Sequence, residues 1–87
     1  MIEHFKLNER EYETWLQQNP KGFVFNYFGD KANNRLHNSK CGQLYRKDNQ
    51  GVRTNLDKYC SNEYFDMERK IISLCGDNWS KCGICLR

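Results

Sequence analysis

Two short stretches decide the fold, Lys81-Cys82-Gly83-Ile84-Cys85 and His37-Asn38-Ser39-Lys40-Cys41. In the first, two thiols separated by two residues can bind one tetrahedral ion, and the intervening Gly lets the backbone turn tightly around the sulfurs. In the second, an imidazole and a thiol four positions apart are of the types that complete a four-ligand set. Nitrogen and sulfur ligands in a closed site suit zinc. The pattern therefore predicts one structural Zn²⁺ ion, bound by His37, Cys41, Cys82 and Cys85.

The length of the chain makes such an anchor necessary. A domain of 87 residues buries a modest share of its surface, and small scaffolds of this kind usually need a disulfide, a metal or a partner for stability. Its five cysteines are an odd number, and the first residues are charged where a secretion signal would be apolar. We therefore expect a soluble cytoplasmic protein in which thiolates bind metal, and no apolar stretch is long enough for a membrane span.

Cys60 is the alternative to His37 as the fourth ligand. It ends a predicted extended segment just before a helix, and a thiolate there could reach a shared ion with Cys41, Cys82 and Cys85. We favour His37 because it gives two closely spaced ligand pairs, and the choice stays open at this point. Cys75 lies in the apolar period of a predicted helix, so we expect it to pack in the core.

The periodicity predicts a small single-domain α+β fold with a short antiparallel sheet and two helices. The first helix lies within residues 1–20, where Asn8 caps its start, Glu11 completes a capping box and Leu7 packs on Tyr12. Residues 21–87 form the zinc module of the single domain, 1–87. Within it the second helix follows a cap at Ser61, shows its apolar period at Tyr64, Met67 and Ile71, and ends at Gly76.

Three segments of the zinc module have strand character. Residues 23–28 are aromatic and β-branched, residues 35–37 place His37 at the end of a second strand, and residues 56–60 are a further extended segment. Residues 44–46 and 52–54 flank a polar loop that contains Gly51, which predicts a hairpin in which Gly51 takes a positive φ.

Positive charge is concentrated in the middle of the chain, although the formal net charge is only +3. A basic surface near a rigid metal site is typical of nucleic-acid binding, and we expect the partner to be DNA. These cations could also be ordinary solvated side chains. The alternative function is a protein-interaction module in which zinc only organises the fold and an exposed apolar patch binds another protein. The candidate nucleic-acid contacts are Arg35, Lys40, Arg46, Lys47, Arg53 and Lys58.

The layout from Phe23 to Arg87 resembles the N-terminal metal-binding domain of the Ada DNA-repair proteins. The shared features are a close-spaced ligand pair at His37–Cys41, a polar and basic stretch, a Ser-capped helix followed by Gly, and the final Lys-Cys-x-x-Cys. The chain also resembles small treble-clef-like bacterial zinc modules, through the same pair, Lys58–Ser61 and Cys82–Cys85.

The resemblance implies a small mixed α/β zinc fold that contacts DNA. In the Ada family the first ligand of the first pair is a cysteine that accepts a methyl group from a phosphotriester, and the matching position here is His37. An imidazole bound to zinc has its lone pair engaged with the metal, so it cannot act as that nucleophile. We therefore predict no enzymatic activity.

Overall fold

The fold is a five-stranded mixed sheet with one α-helix on each face. A computed structural model describes residues 2–29, 34–45, 51 and 53–83 of the chain. The strands are β1 (Glu3–Phe5), β2 (Phe23–Tyr27), β3 (Asn34–Asn38), β4 (Asp57–Ser61) and β5 (Trp79–Lys81), and the helices are α1 (Glu9–Gln18) and α2 (Tyr64–Cys75). This confirms the predicted α+β class.

The strand order is β1-β4-β2-β3-β5, so β1 and β5 are the two edges of the sheet. The first four strands pair antiparallel to their neighbours, and β5 pairs parallel to β3. Strand β1 therefore belongs to the same sheet as the four strands within residues 21–87. Neither β1 nor β5 was predicted, and the sheet is mixed where the sequence predicted an antiparallel one.

Helix α1 covers the sheet face that carries Val24 and Cys60, which is called the α1 face below. Its buried residues Tyr12 and Leu16 pack with these two and with Phe5. The predicted helix bounds are confirmed, because Asn19 ends α1 and its N–H donates to the carbonyl of Trp15.

The predicted cap of α1 is wrong. The Asn8 side chain makes no capping hydrogen bond, and Leu7 is 75% exposed, with a positive φ of 61°, so it does not pack on Tyr12. The carboxylate of Glu9 instead accepts two hydrogen bonds from Thr54, one from its backbone N–H at 2.9 Å and one from its hydroxyl at 3.1 Å. A long-range contact thus takes the place of the local cap.

Helix α2 covers the opposite, α2 face of the sheet. Met67 and Ile71 are fully buried against Phe25 and Leu36, as the helical period predicted. The helix ends at Gly76, whose φ of 59° is readily adopted only by glycine. The start differs from the prediction, because Ser61 ends β4 and Glu63 precedes the helix.

The predicted hairpin around residue 50 is also wrong in the described part of the chain. Short 3₁₀ helices occupy Gly42–Tyr45 and Arg53–Asn55, where the sequence predicted two strands. Gly51 does have a positive φ, 85°. Neither described helix is long and apolar enough to cross a bilayer.

Candidate metal centre

Three of the four predicted ligands converge at the β3–β5 side of the α1 face. The ligand atoms of His37, Cys41 and Cys82 all lie within 4.8 Å of one another, and all three residues are buried. This cluster could hold a metal ion. Cys85, the fourth predicted ligand, lies outside the described residues.

His37 is placed by the register of the central strands. It lies opposite Val24 of β2, and both side chains point to the α1 face. Burial, assisted by the positive charges of Lys58 and Arg35, lowers the pKa of His37 to about 4, so its imidazole is neutral at physiological pH. Among the described residues, no group forms a hydrogen bond with its buried Nδ1. A buried polar atom without a partner is costly, and a metal ion would satisfy it.

Cys41 is held by a tight turn after β3. Its N–H donates to the carbonyl of Asn38 at 2.9 Å, and the Asn38 side chain accepts from the backbone N–H of Lys40 at 3.0 Å. Ser39 fixes the turn to the α1 end of the protein, because its hydroxyl donates to the carbonyl of Asn19 at 2.5 Å. The turn chemistry of Asn38 and Ser39 in the sequence is what brings a thiol four residues after His37 back beside it.

Cys82 reaches the cluster by extending the parallel pairing of β5. Its N–H donates to the carbonyl of Leu36 at 2.8 Å, one step beyond the last paired residue, Lys81. Continuing the register places Cys82 next to His37 and on the same face of the sheet. Cys82 therefore lies beside His37 and Cys41, as the sequence predicted. Strand β5, which places it there, was not predicted.

The spacing of the two thiols fits a tetrahedral ion. The Sγ atoms of Cys41 and Cys82 lie 3.8 Å apart. Two sulfurs, each about 2.3 Å from a tetrahedral zinc, are separated by about 3.8 Å. A disulfide would require about 2.0 Å, so these two sulfurs are not bonded to each other. Together with the unpartnered Nδ1 of His37, the donor set therefore fits zinc.

Cys60 faces the same side of the sheet but lies apart from the cluster. The register places it opposite Val24, which in turn lies opposite His37. With neighbouring strands about 4.8 Å apart, Cys60 is about 10 Å from His37 along the sheet. Burial raises the pKa of the Cys60 thiol, with the opposing effect of Lys58 smaller. Its contacts are those of a core residue.

Lys58 is buried, whereas a residue that contacts phosphate must lie on the surface. Lys58 is 6% exposed, its Nζ donates to Oδ1 of Asn26, and it stands 5.7 Å from the centre of the Tyr12 ring. Burial lowers the pKa of Lys58 to about 8, although the charges of Cys60 and Glu9 raise it. The expectation that Lys58 contacts nucleic acid is therefore not met by this arrangement.

Arg53 is engaged as well. Its side chain is 9% exposed, and Nη1 lies 3.0 Å from Oε2 of Glu13 on α1. Its guanidinium also lies over the ring of Tyr45, 5.8 Å from the ring centre. Arg53 therefore ties the segment before β4 to α1 and is poorly placed to contact phosphate.

Two of the predicted basic contacts are exposed beside the cluster. Arg35 precedes His37 by two residues on β3, and its Nη1 donates to the hydroxyl of Ser80. Lys40 is exposed in the turn that leads to Cys41. The remaining two, Arg46 and Lys47, lie outside the described residues.

A groove that the sequence analysis did not anticipate lies at the opposite edge of the sheet, between β1 and α1. It has a volume of about 410 Å³. A smaller groove of about 260 Å³ adjoins it and shares two of its lining residues, Glu3 and Trp15. Strand β1, which forms one wall of the groove, is only three residues long and has too short a pattern to be predicted from sequence. Beside the shared pair, the lining includes Phe5, Arg10, Glu11, Thr14 and Gln18 in the larger groove and Ser61, Asn62 and Glu63 in the smaller.

Comparison of the chain with family models, with curated proteins and with solved structures finds no match. The resemblance to Ada-type and treble-clef-like zinc modules accordingly stays a prediction that rests on the residues quoted for it.

Proposed function

We propose that the chain is a zinc-stabilised module that binds nucleic acid, with DNA as the expected partner, and that it has no catalytic activity. The observation that carries the metal assignment is that the ligand atoms of His37, Cys41 and Cys82 lie within 4.8 Å of one another, with the two sulfurs 3.8 Å apart. Cys85 supplies the fourth ligand in this proposal. Four protein ligands leave no open position for water, which is why the proposed ion is structural.

The ion would connect two segments that follow neighbouring strands. Cys82 follows a three-residue edge strand, and Cys41 follows a turn after the neighbouring strand. Binding of structural zinc in small modules contributes about 10–16 kcal/mol, comparable to the total stability of a domain at about 5–15 kcal/mol. Zinc therefore decides whether the β3–β5 side of the sheet is formed.

The nucleic-acid contact is proposed for the residues that flank the first ligand pair. Arg35 and Lys40 are exposed on either side of His37, and Arg46 and Lys47 follow Cys41 in the chain. A metal ion that fixes this turn would present these cations at little further ordering cost. Arg53 and Lys58 have no part in the proposal, because Glu13 and Asn26 engage them inside the fold.

Retention of the zinc-loaded protein on duplex DNA as a function of salt tests this function. Four phosphate contacts predict a log-log slope of about −3 to −4, with weak binding that is mostly indifferent to sequence. Absence of salt-sensitive retention at low ionic strength would refute nucleic-acid binding and leave the zinc site untouched.

A protein-interaction module is the second candidate, and one observation favours it. The grooves beside β1 are lined by two aromatic rings and by more carboxylates than cations, and such a lining repels phosphate and suits a peptide. Because these grooves lie at the opposite edge of the sheet from β3 and β5, the two functions use separate surfaces.

A further inference from the structure

The groove between β1 and α1 has the construction of a peptide site. Strand β1 is an edge strand that pairs with β4 on one side, and on its other side no described strand pairs with it. Its backbone N–H and carbonyl groups on that side can form hydrogen bonds with an added strand. Helix α1 forms the other wall through Arg10, Thr14 and Gln18, which follow one another at helical spacing.

The two grooves form one path along β1. Both are lined by Glu3 and Trp15, the larger continues to Phe5 and the smaller to Ser61. This path follows the strand direction, as an added strand would. The larger volume, about 410 Å³, lies within the range of about 300–1,000 Å³ that is typical of ligand sites.

The charged residues that line the two grooves favour a cationic peptide. Three carboxylates, those of Glu3, Glu11 and Glu63, line the path against one guanidinium, that of Arg10, and all four residues are exposed. Excess negative charge beside a strand edge favours a strand with cationic side chains at the positions that face it.

Trp15 adds an aromatic wall where the two grooves meet. It packs partly against the core, and Gly22 leaves it that room, since a Cβ at residue 22 would lie 2.6 Å from Cη2 of the indole. An indole face attracts Lys and Arg side chains, and tryptophan does so best among the aromatic residues. The ring is thus held where a cation bound to Glu3 could rest on it.

We propose that an extended peptide with Lys or Arg at alternate positions binds to the free edge of β1 as a sixth strand, with its cationic side chains in the groove between Glu3 and Trp15. Side chains of an added strand alternate between the two faces of the sheet, so every second residue enters the groove on the α1 face. The remaining residues extend over the α2 face, where His4 stacks on Tyr59 with 4.4 Å between ring centres. This site lies apart from the candidate metal centre and is independent of nucleic-acid binding.

The test uses zinc-loaded protein and three fluorescein-labelled peptides, with binding followed by anisotropy. The first peptide is Thr-Lys-Thr-Lys-Thr-Lys-Thr, the second replaces each Lys by Glu, and the third has the sequence of the first with backbone N-methyl groups on its third, fourth and fifth residues. We expect saturable binding of the first, none of the second, and a loss of about tenfold or more for the third. The N–H groups of successive strand residues point to opposite edges, so this methylation blocks at least one N–H that pairs with β1.

Protein variants locate the site. Glu3→Gln should weaken binding of the Lys peptide about two- to fivefold, as expected for one exposed ion pair, whereas Asp77→Asn, an equal charge change after α2, should leave it unchanged. Hydrogen exchange of the β1 backbone amides that point away from β4 should slow in the presence of the Lys peptide, because strand addition protects them.

Three results would overturn the inference. Equal binding of the Lys peptide and its N-methylated form would show charge attraction without strand addition. Equal weakening by Glu3→Gln and Asp77→Asn would place the peptide elsewhere. Failure of the Lys peptide to bind would show that the groove is not a site for cationic peptides. The proposed function is tested separately, by the zinc content and the DNA retention of the same sample.

Discussion

The sulfur atoms of Cys41 and Cys82 lie 3.8 Å apart, although the two residues are separated by 41 positions in the chain. Two structural causes bring them together: a tight turn after β3 and the parallel pairing of β5 with the same strand. His37 lies on β3 itself, the strand that the turn follows and with which β5 pairs. The candidate metal centre is therefore organised by one strand, and whatever loosens β3 from β5 should loosen the site.

The ligand assignment can be tested by comparing three alanine variants. His37→Ala and Cys82→Ala should each weaken zinc binding by at least about 100-fold, because each removes a direct ligand. Cys60→Ala should keep wild-type zinc affinity and cost about 1 kcal/mol of stability, as an ordinary core truncation. Competition with a chromophoric chelator measures the affinities. A large loss for Cys60→Ala with little change for His37→Ala would transfer the site to Cys60.

If the chain binds DNA, its exposed cations should contribute to the salt dependence of binding and the buried Lys58 should not. Replacing Arg35 and Lys40 together by Ala should flatten the log-log salt slope of DNA binding by about two units, because each contact contributes about 0.9. Lys58→Met should leave the slope unchanged, since the Lys58 ammonium is bound to Asn26 inside the fold. Arg69→Ala on the exposed side of α2 is the matched surface control. A slope that responds to Lys58→Met and ignores the double variant would contradict this division.

Lys58 should also produce a pH dependence of stability. Its pKa is about 8 in the folded protein against an ordinary 10.5, so between these values the unfolded chain holds a proton that the folded protein has released. This residue therefore adds stability as pH rises from about 8 towards 10.5, and the contribution is lost as pH falls through 8.

The measurement is the free energy of unfolding of the wild type and of Lys58→Met between pH 7 and pH 9.5. The wild type should gain about 1–2 kcal/mol relative to the variant across this range, at up to about 1.4 kcal/mol per pH unit. Subtracting the variant separates Lys58 from groups that titrate in both proteins. A difference that stays constant with pH would show that Lys58 keeps its ordinary pKa.

The absence of methyl transfer is a further expectation. The position that matches the nucleophile of Ada-type domains is His37, whose lone pair would be engaged with zinc. Incubation with DNA that carries methyl phosphotriesters should leave every cysteine unmodified, as judged by mass spectrometry. Methylation of Cys41 or Cys60 would show that a thiolate of this chain is reactive.

Local sequence signals were enough to locate the long elements. The aromatic run at residues 23–27 is β2, the apolar period from Tyr64 to Ile71 lies in α2, and His37 lies near the end of a strand as predicted. These elements carry their signal in their own composition. Strands β1 and β5 carry almost none, because three residues show no clear alternation and both are held by pairing with distant segments.

The candidate site was predictable in its residue types and unpredictable in its geometry. Its position just before a helix made Cys60 the alternative to His37, and it does share a sheet face with His37, but Val24 lies between them. Lys58 was predicted to contact nucleic acid, whereas Asn26 and Tyr12 surround it in the fold. The place of both residues depends on strand order and register, which are long-range properties that a single sequence does not display.

Thermal unfolding of the protein before and after complete removal of zinc tests the central claim most directly, with the metal content of each sample determined by elemental analysis. We expect one zinc per chain and a cooperative transition that is lost when a strong chelator strips the ion, since the contribution of zinc is comparable to the whole stability of a small domain. A zinc-free sample that unfolds with the same cooperative transition at the same temperature would contradict this claim.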